Sequence, residues 1–269
     1  MRSLLVVLVL IVFTFVLGTA VLLAALFGVK DRQGGIYDWA PRLWSRAILF
    51  AAGVRVRLHN EGRMRTGQPR IFVSNHVSWF DVFTLAAVLK RYKFVGKAEL
   101  FRIPLFGPAA KAAGMIPIER ENRKAAFESY DVAAKQIRGG ASVVVYPEGT
   151  RGRDYALRPF KKGPFVLAAA AGVPLVPTIV RGTIDVHPKG SWRVRSGVVD
   201  VHFLEEIATA GATYADRDRL AQECWQRMAA ALDALYGVRS ETPPARAQRR
   251  NDDAAKPRSV DQAPSEMSP

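Results

Sequence analysis

The hydropathy pattern begins with a long apolar run at the amino terminus. Residues 3–29 carry no charged side chain and consist mainly of Leu, Val, Phe and Ala. As a helix this run would rise about 40 Å, against roughly 30 Å of bilayer hydrocarbon, so it predicts a membrane helix that spans the bilayer or dips into it. Lys30 and Arg32 follow the run, whereas Arg2 and the amino terminus precede it. This asymmetry predicts that the rest of the chain lies on the cytoplasmic side, which in a bacterium is the inner face of the plasma membrane.

A second apolar stretch follows at residues 39–54. Its two tryptophans and two arginines predict a helix at the bilayer interface, although the same pattern suits an amphipathic helix packed on a globular domain. A cleaved signal peptide is the alternative for residues 3–29, but its apolar region would be about 7–15 residues long and would end in an Ala-x-Ala-like site. We therefore predict that residues 1–53 form a membrane segment and an interfacial helix.

The middle of the chain alternates short apolar runs with stretches of helical periodicity, which is typical of an α/β domain over residues 54–239. The runs predict strands at 54–58, 70–74, 93–96, 115–118, 142–146, 174–180 and 198–204. Apolar residues at helical spacing predict helices over 127–138, 163–171 and 214–236. Cys224 falls in the apolar stripe of the last helix, which indicates a buried thiol and not a reactive one.

Residues 240–269 contain Pro, Ser, Ala and charged residues without apolar periodicity, which predicts a disordered tail. Five basic and five acidic residues cancel there, so the net charge of +15 resides in residues 1–239. A positive excess of this size points to an acidic partner: a nucleic acid, an anionic membrane or a phosphorylated ligand. The basic residues are interleaved through the predicted strands and are not gathered on one helix or aromatic platform, so we expect no nucleic-acid partner.

Residue types and short motifs exclude several classes of protein. A single cysteine and four scattered histidines leave little for a disulfide or a structural zinc site. The sequence lacks the Cys-x-x-Cys, Gly-x-Gly-x-x-Gly, Walker A and Gly-x-Ser-x-Gly patterns. These absences disfavour thioredoxins, Rossmann enzymes, P-loop NTPases and typical α/β-hydrolases.

A histidine and an aspartate follow the second predicted strand, at the kind of position where α/β folds place ligand chemistry. His76 and Asp81 meet if His76 lies in the turn before a helix and Asp81 in its first turn. A carboxylate on one imidazole nitrogen fixes the other nitrogen as a proton acceptor, which is the arrangement of a general base. Alternatively, Ser78 and Asp81 form only a helix-capping box and His76 is a loop residue. Both descriptions hold together if the carboxylate uses its second oxygen.

Three further segments end or form predicted strands. Residues 114–120 form a short strand that ends in a charge pair. In residues 143–151, Gly149 permits close backbone approach, Thr150 offers a hydroxyl and Arg151 offers a planar fork suited to phosphate. Residues 173–180 form an apolar strand with two prolines, compatible with an edge position or with the wall of a groove. The candidates for an anion site, each of which alone also suits a solvated surface, are Lys97, Arg120, Arg151, Lys161 and Lys162.

In this order and spacing the four segments resemble the lysophosphatidic acid acyltransferases, also called the 1-acyl-sn-glycerol-3-phosphate acyltransferase family. The resemblance covers about residues 50–210 and includes Phe160-Lys161-Lys162-Gly163 after the third segment. It implies the glycerolipid acyltransferase fold, an α/β fold with a central mixed sheet flanked by helices, together with membrane-associated helices at the amino terminus. Tyr146 stands where the family usually has Phe, which is a mild departure.

The resemblance also implies an activity: acyl transfer from acyl-CoA or acyl-carrier protein to the free hydroxyl of 1-acyl-glycerol-3-phosphate, giving phosphatidic acid. It implies that His76 is the base and that Asp81 orients it. The residues expected to bind the acceptor's phosphate and glycerol, with Lys97 added from the anion-site argument, are Arg120, Glu148, Gly149, Thr150 and Arg151. The residues expected to support the motifs are Asn75, Ser78, Pro147, Lys161, Gly163, Pro174 and Pro177. A thioester donor is already activated, so no metal or other cofactor is expected. The expected partners are the lysophospholipid, the acyl donor and an anionic membrane.

Three rival readings of function remain at this point. The same motifs serve an acyltransferase for another lyso-lipid, such as lyso-ornithine lipid. A hydrolase with Ser78 as nucleophile and His76 as its base is a second reading, although residues two apart in a turn rarely align as a dyad. A non-catalytic basic protein that binds membranes is the third, since the net charge alone would support it.

Overall fold

Two antiparallel helices form the amino-terminal part of the chain. The computed structural model describes residues 1–64, 68–119 and 123–241, with α1 over Arg2–Leu26 and α2 over Ile36–Ala52. The helices lie side by side, because Arg2 Nη1 donates to Ala52 O at 2.8 Å and Trp44 Nε1 donates to Thr14 Oγ1 at 2.8 Å. The second helix begins at Ile36, earlier than the sequence pattern predicts, and one of its faces packs against α1.

Within the described residues, α1 alone has the length and apolar composition needed to cross a membrane. It packs along α2 and against α4, a short helix over Phe106–Ala112. Its outer face remains apolar and exposed, with Leu8, Ile11 and Phe15 all more than half accessible. One face of α1 thus contacts the domain while the other presents hydrocarbon to its surroundings.

A seven-stranded mixed sheet forms the centre of the domain, and all seven predicted strands are present to within one residue at each end. The strands are β1 Val54–His59, β2 Ile71–Ser74, β3 Tyr92–Lys97, β4 Ile116–Ile118, β5 Ser142–Val145, β6 Leu175–Arg181 and β7 Gly197–Phe203. Their order across the sheet is β1-β7-β6-β2-β5-β3-β4. Every neighbouring pair is parallel except β6 with β7.

Helices cover both faces of the sheet. The remaining helices are α3 Trp79–Val88, α5 Arg123–Arg138, α6 Gly163–Ala171, α7 Thr183–Val186 and α8 Arg217–Tyr236. Alternate strand residues point to opposite faces, so Phe72 and Val144 join the core under α2 and α3. Their chain neighbours Ile71 and Val143 join the core under α5, α6 and α8.

The predicted helices are confirmed with small changes at their ends. α6 has the predicted bounds, α5 begins at Arg123, and α8 begins after a single 3₁₀ turn over Tyr214–Asp216. α4 and α7 were not predicted, because seven and four residues are too few to show a helical period. Cys224 is buried in α8, and this burial raises the pKa of its thiol, as the core assignment requires. The predicted disordered tail lies almost wholly outside the described residues and stays a prediction.

Of the two positions expected for the strand with two prolines, the edge position is wrong, whereas the groove-wall position stays a prediction. β6 lies inside the sheet between β2 and β7, and Pro177 is fully embedded in it. Pro177 O accepts from Leu204 N at 2.9 Å, just where the antiparallel ladder with β7 begins at Thr178. The missing proline N–H therefore falls at the end of that ladder and interrupts no bond to β2. Pro174 precedes the strand and uses its carbonyl to accept from Ile71 N at 3.0 Å.

A buried lysine attaches the helical pair to the sheet. Lys93 in β3 is fully buried, and its Nζ lies 2.7 Å from Ala113 O and 3.0 Å from the Asp31 carboxylate in the α1–α2 connection. Arg91 Nη1 contacts the carboxylates of Asp31 and Asp38, each at 3.1 Å. Removing one partner of a buried ion pair leaves an uncompensated charge and is strongly destabilising. These ion pairs therefore fix the position of α1 and α2 on the domain.

Candidate active site

The candidate site lies at the carboxyl ends of β2 and β5, which are adjacent parallel strands. The loop after β2 carries Asn75 to Ser78, and the loop after β5 carries Tyr146 to Arg151. Parallel neighbours deliver their following loops to the same edge of a sheet, which is where open α/β sheets bind ligands. The fold therefore brings together two segments that are about 70 residues apart in the chain.

His76 and Asp81 are in direct contact. Ser78 is the N-cap of α3 and Asp81 its third residue, so the histidine lies in the turn before the helix and the aspartate in its first turn. His76 Nδ1 lies 2.9 Å from Asp81 Oδ2. With the carboxylate accepting at this contact, the neutral imidazole carries its proton on Nδ1 and leaves the Nε2 lone pair free to accept a proton. The aspartate side chain is fully buried, whereas that of the histidine keeps 12% of its surface exposed.

The capping box and the histidine contact use the same carboxylate oxygen. Asp81 Oδ2 also accepts from Val77 N at 2.6 Å and from Ser78 N at 2.8 Å. The other oxygen, Oδ1, accepts from Thr183 Oγ1 at 2.6 Å. Sequence reasoning expected a second oxygen to serve the histidine, and it missed the threonine altogether. The one signal for it is position, since Thr183 lies two residues after the end of β6, just as His76 lies two residues after the end of β2.

The loop after β5 grips the backbone of His76 from both sides. Glu148 Oε1 accepts from His76 N at 2.9 Å, and Gly152 N donates to His76 O at 2.7 Å. The Glu148 carboxyl also accepts from Arg158 N at 3.4 Å, and its burial raises its pKa to about 7. In this structure Glu148 thus contacts the first motif, which differs from the expectation that it faces the acceptor.

Tyr146 covers one face of the histidine ring. The two rings are stacked with centroids 4.1 Å apart and planes inclined by 21°. The Tyr146 hydroxyl is buried without a hydrogen-bond partner among the described residues, and this burial raises its pKa well above the ordinary value for tyrosine. The stack and the Asp81 contact together fix the plane of the imidazole.

Ser78 is not available as a nucleophile in this arrangement. Its side chain is buried, its Oγ donates to His187 O at 2.7 Å, and the same oxygen accepts from Phe80 N at 3.2 Å. Both interactions are those of a helix cap that also anchors a neighbouring loop. The structure therefore favours the capping role and argues against a Ser78–His76 dyad.

Several motif residues hold the scaffold of the site. Asn75 exchanges two hydrogen bonds with Val180 of β6, at 3.0 and 2.8 Å, and so extends the β2–β6 pairing beyond the last strand residue. Pro147 O accepts from Lys161 N at 2.8 Å. Gly163 begins α6 at a point where a Cβ would lie 1.8 Å from the Tyr130 hydroxyl. Each of these positions is thereby explained by packing or backbone pairing.

The predicted basic residues do not all converge. Arg151 adjoins Gly152, which bonds to His76, and its guanidinium lies 4.8 Å from the centre of the Trp79 ring at the start of α3. Lys161 lies against Gly149, whose φ of +76° strains any residue with a side chain. Thr150 is exposed on the same loop.

The other candidates lie elsewhere or cannot be placed. Lys97 is exposed and pairs with Glu99 at 2.8 Å. Lys162 pairs with Asp218 of α8 at 2.9 Å. Arg120 lies outside the described residues, so its role stays a prediction. Among the predicted cations that the structure describes, Arg151 and Lys161 therefore lie on the loop after β5.

Comparison with known proteins places this fold and site in a family. The family model described as acyltransferase matches residues 55–181, the range that contains both loops. A chloroplastic 1-acyl-sn-glycerol-3-phosphate acyltransferase of Brassica napus is 41% identical over 46% of this chain and 36% of its own length. The human 1-acyl-sn-glycerol-3-phosphate acyltransferase beta is 33% identical over 68% of this chain and 66% of its own length. The chain belongs to the acyltransferase family.

A solved structure supports the fold of this chain. The crystal structure of the 1-acyl-sn-glycerophosphate acyltransferase of Thermotoga maritima superposes with a TM-score of 0.64 at 21% identity, covering 84% of this chain and 97% of that one. The chain spans between about a third and two thirds of the curated relatives it matches, so only their shared domain is compared. The family resemblance inferred from the four motifs is confirmed, as is the mixed sheet flanked by helices.

Proposed function

We propose that this chain transfers an acyl group from a thioester to the free hydroxyl of 1-acyl-glycerol-3-phosphate, giving phosphatidic acid. The observation that carries the proposal is the 2.9 Å contact between His76 Nδ1 and the buried Asp81 carboxylate, in a chain of the acyltransferase family. Several of the relatives that match it carry the name of this activity.

His76 acts as the general base. Its Nε2 removes the proton from the acceptor hydroxyl while the oxygen attacks the thioester carbonyl, forming the C–O ester bond. The tetrahedral intermediate collapses, the C–S bond breaks, and the proton held on Nε2 passes to the departing thiolate. Base catalysis of this kind contributes roughly 10²- to 10⁴-fold, so the precise hold on His76 by Asp81, Glu148 and Tyr146 matters as much as its basicity.

The acceptor's phosphate is bound by the cations at the carboxyl end of β5. Arg151 offers two parallel N–H donors, and Lys161, which lies against Gly149, offers a point charge. Arg120 is expected to join them. The reaction requires no cofactor, because the thioester of acyl-CoA or of acyl-carrier protein is already activated for attack.

The helical pair brings this site to a membrane. α1 is apolar on its exposed face, α2 exposes Trp39, Leu43 and Phe50, and the chain carries an excess of positive charge. Together these features suit insertion into an anionic bilayer, where a substrate with an acyl chain resides. The basic residues that follow α1 favour a catalytic domain on the cytoplasmic face.

A second acceptor is supported by one of the relatives. The lyso-ornithine lipid O-acyltransferase of Rhizobium meliloti is 34% identical over 56% of this chain and 49% of its own length. Its acceptor, by name, is a lyso-ornithine lipid. The two proposals differ in whether the acceptor carries a phosphate. Only the first acceptor has a phosphate for the cations of the site to bind.

The test uses purified full-length wild type, H76A and H59A in mixed micelles with lysophosphatidic acid or lyso-ornithine lipid and a long-chain acyl-CoA or acyl-carrier protein. His59 is the matched control, because it lies on β1 and contacts Asp200 at 2.8 Å, away from the site. Released thiol and lipid product are followed together. We expect product with lysophosphatidic acid, a loss of at least about a hundredfold in H76A and near wild-type turnover in H59A.

Other outcomes contradict parts of the proposal. Equal turnover in wild type and H76A would exclude His76 as the base. Thiol release without lipid product would identify a thioesterase. Product with lyso-ornithine lipid alone would transfer the proposal to the second acceptor. Membrane binding with no turnover on either acceptor and either donor would leave a non-catalytic membrane-binding protein.

A further inference from the structure

We propose that Thr183 is a positioning residue that holds the Asp81 carboxylate for its work on His76. Thr183 Oγ1 donates to Asp81 Oδ1 at 2.6 Å, and both side chains are fully buried. The two residues are 102 positions apart and lie on different elements, α7 and α3. The inference rests on the proposed function in one respect: it assumes that the pair His76–Asp81 acts as a base.

One of the two carboxylate oxygens of Asp81 depends on this hydroxyl for its hydrogen bond. Asp81 Oδ2 accepts from the His76 ring and from the backbone N–H groups of Val77 and Ser78. Among the described residues, Oδ1 has Thr183 as its donor. A buried carboxylate oxygen without a donor is costly, and hydrogen bonds to charged groups are stronger than those between neutral groups. Removing the hydroxyl leaves the carboxylate more basic while the backbone still anchors it through Oδ2.

The turn that presents Thr183 is itself fixed by a tyrosine. Tyr155 Oη accepts from Gly182 N at 2.8 Å and from Ile184 N at 3.0 Å, so the hydroxyl holds the peptide on each side of Thr183. Gly182 has a φ of +100°, and a Cβ there would lie 2.2 Å from Val198 O, so only glycine fits. Tyr155 belongs to the loop that follows Arg151, which connects this turn to the loop that grips His76.

A second contact from the same segment reaches the helix cap. His187, directly after α7, accepts from Ser78 Oγ at 2.7 Å through its carbonyl. The segment from Gly182 to His187 therefore holds both members of the capping box of α3, Ser78 through its hydroxyl and Asp81 through Oδ1. Neither contact reaches the substrate side of the imidazole, so the segment positions the base without touching a reacting atom.

The experiment compares T183V, T183S and T84V with wild type in the full-length protein. Valine keeps the shape of threonine and removes the hydroxyl, and serine restores it. Thr84 is the matched control, since it is fully buried one turn further along α3 and its hydroxyl has no hydrogen-bond partner among the described residues. For T183V we expect kcat to fall about tenfold or more while KM for the acceptor changes less than about twofold.

The pH profile provides the readout that a general packing defect would not move. In T183V the under-satisfied carboxylate makes the His76–Asp81 pair take up its proton at higher pH, so the acid limb of kcat moves upward. T183S returns kcat and the acid limb toward wild type, and T84V leaves both unchanged. If T183V keeps the wild-type kcat and pH profile, or if T84V is equally impaired, the assignment is wrong.

Two further measurements keep the inference testable. If T183V does not fold, Y155F serves instead, because it removes the hydroxyl that anchors the turn without altering Thr183. Y155F is expected to shift kcat and the acid limb in the same direction as T183V. A Y155F profile that coincides with wild type would then overturn the inference. With ¹⁵N-labelled histidines, of which the chain has four, the titration midpoint of the His76 ring is followed by NMR without any substrate. An upward shift in T183V or Y155F with an inactive wild type would support the positioning role while refuting the proposed function. An unchanged midpoint with an active wild type would refute the positioning role alone.

Discussion

Glu148 Oε1 accepts a hydrogen bond from the backbone N–H of His76 across 2.9 Å, which joins the third sequence motif to the first. The same loop donates Gly152 N to His76 O at 2.7 Å. The peptide that carries the proposed base is thus held at both its N–H and its C=O. Glu148, which was expected to bind the phosphate and glycerol of the acceptor, therefore supports the backbone that carries His76.

Glu148 predicts a pH dependence of stability. Burial raises its pKa from 4.5 to about 7, so the carboxyl stabilises the fold fully below about pH 4.5 and loses that contribution as the pH rises through 7. A shift of this size corresponds to about 3 kcal/mol. In E148Q, which does not titrate, the free energy of unfolding relative to wild type should therefore increase by up to about that amount between pH 5 and pH 8.

Thermal or denaturant unfolding of both proteins in the same detergent across this pH range measures the effect. A suitable control is E99Q, because Glu99 is exposed on the surface and pairs with Lys97 at 2.8 Å. E99Q should follow the wild-type pH curve, because an exposed ion pair contributes little to stability. A difference between E148Q and wild type that stays constant with pH would show that Glu148 is not protonated in the folded protein.

Asp81 predicts a large loss of activity on amide substitution. In D81N the side chain has no charge and one acceptor oxygen, whereas the site supplies donors to two oxygens. The histidine loses the partner that keeps its proton on Nδ1, so kcat should fall by about 10³-fold with a smaller change in KM, as in other base–carboxylate pairs. D233N is the control, because Asp233 is exposed on α8 and pairs there with Arg239 at 4.0 Å. A D81N protein that turns over within tenfold of wild type would contradict the orienting role.

Tyr146 predicts that a small change stabilises the fold. Its buried hydroxyl has no partner among the described residues, and such a group costs about 1–3 kcal/mol. Y146F keeps the ring that stacks on His76 at 4.1 Å and should raise the free energy of unfolding by about 1 kcal/mol. Y146A removes the ring, so it should lower both stability and kcat. Y92F, at a second buried hydroxyl without a partner, is the control for the gain in stability. Destabilisation of Y146F would mean that the hydroxyl does have a partner.

The elements of this fold were more predictable than their arrangement. The interior strands follow from apolar runs, because burial on both faces makes a parallel strand continuously apolar, as in Ser142–Val145. The edge strand β1 instead alternates apolar residues with Arg55 and Arg57. The order of strands is a property of tertiary packing, which is why the two prolines of residues 173–180 suggested an edge where the structure has an interior strand. Short helices such as α7 could not be predicted from the local sequence either, because four residues are too few to show a helical period.

In the candidate site, too, the contacts set by the local sequence were predictable and those set by tertiary packing were not. The contact of His76 with Asp81 was expected because five residues at a helix start fix their geometry locally. Thr183 and Glu148 contact the same two residues from 102 and 72 positions away, and no spacing rule reaches that far. These long-range contacts form only when the sheet brings the ends of β2, β5 and β6 together.

Ser78 predicts the outcome that separates acyl transfer by a base from hydrolysis by a serine nucleophile. Its hydroxyl donates to His187 O at 2.7 Å and caps α3, so S78A loses a cap and one hydrogen bond and should lose about 1–2 kcal/mol of stability. The acyl-transfer rate should stay within about tenfold of wild type, because no covalent intermediate forms on this residue. Removal of a true nucleophile would cost several orders of magnitude and would abolish any acyl-enzyme trapped by rapid quenching. The measurement is the rate of lipid product formation beside mass spectrometry of the quenched protein. An acyl group found on Ser78 in the wild type would overturn the mechanism in favour of the hydrolase, whereas a retained rate in S78A leaves His76 as the group that activates the acceptor.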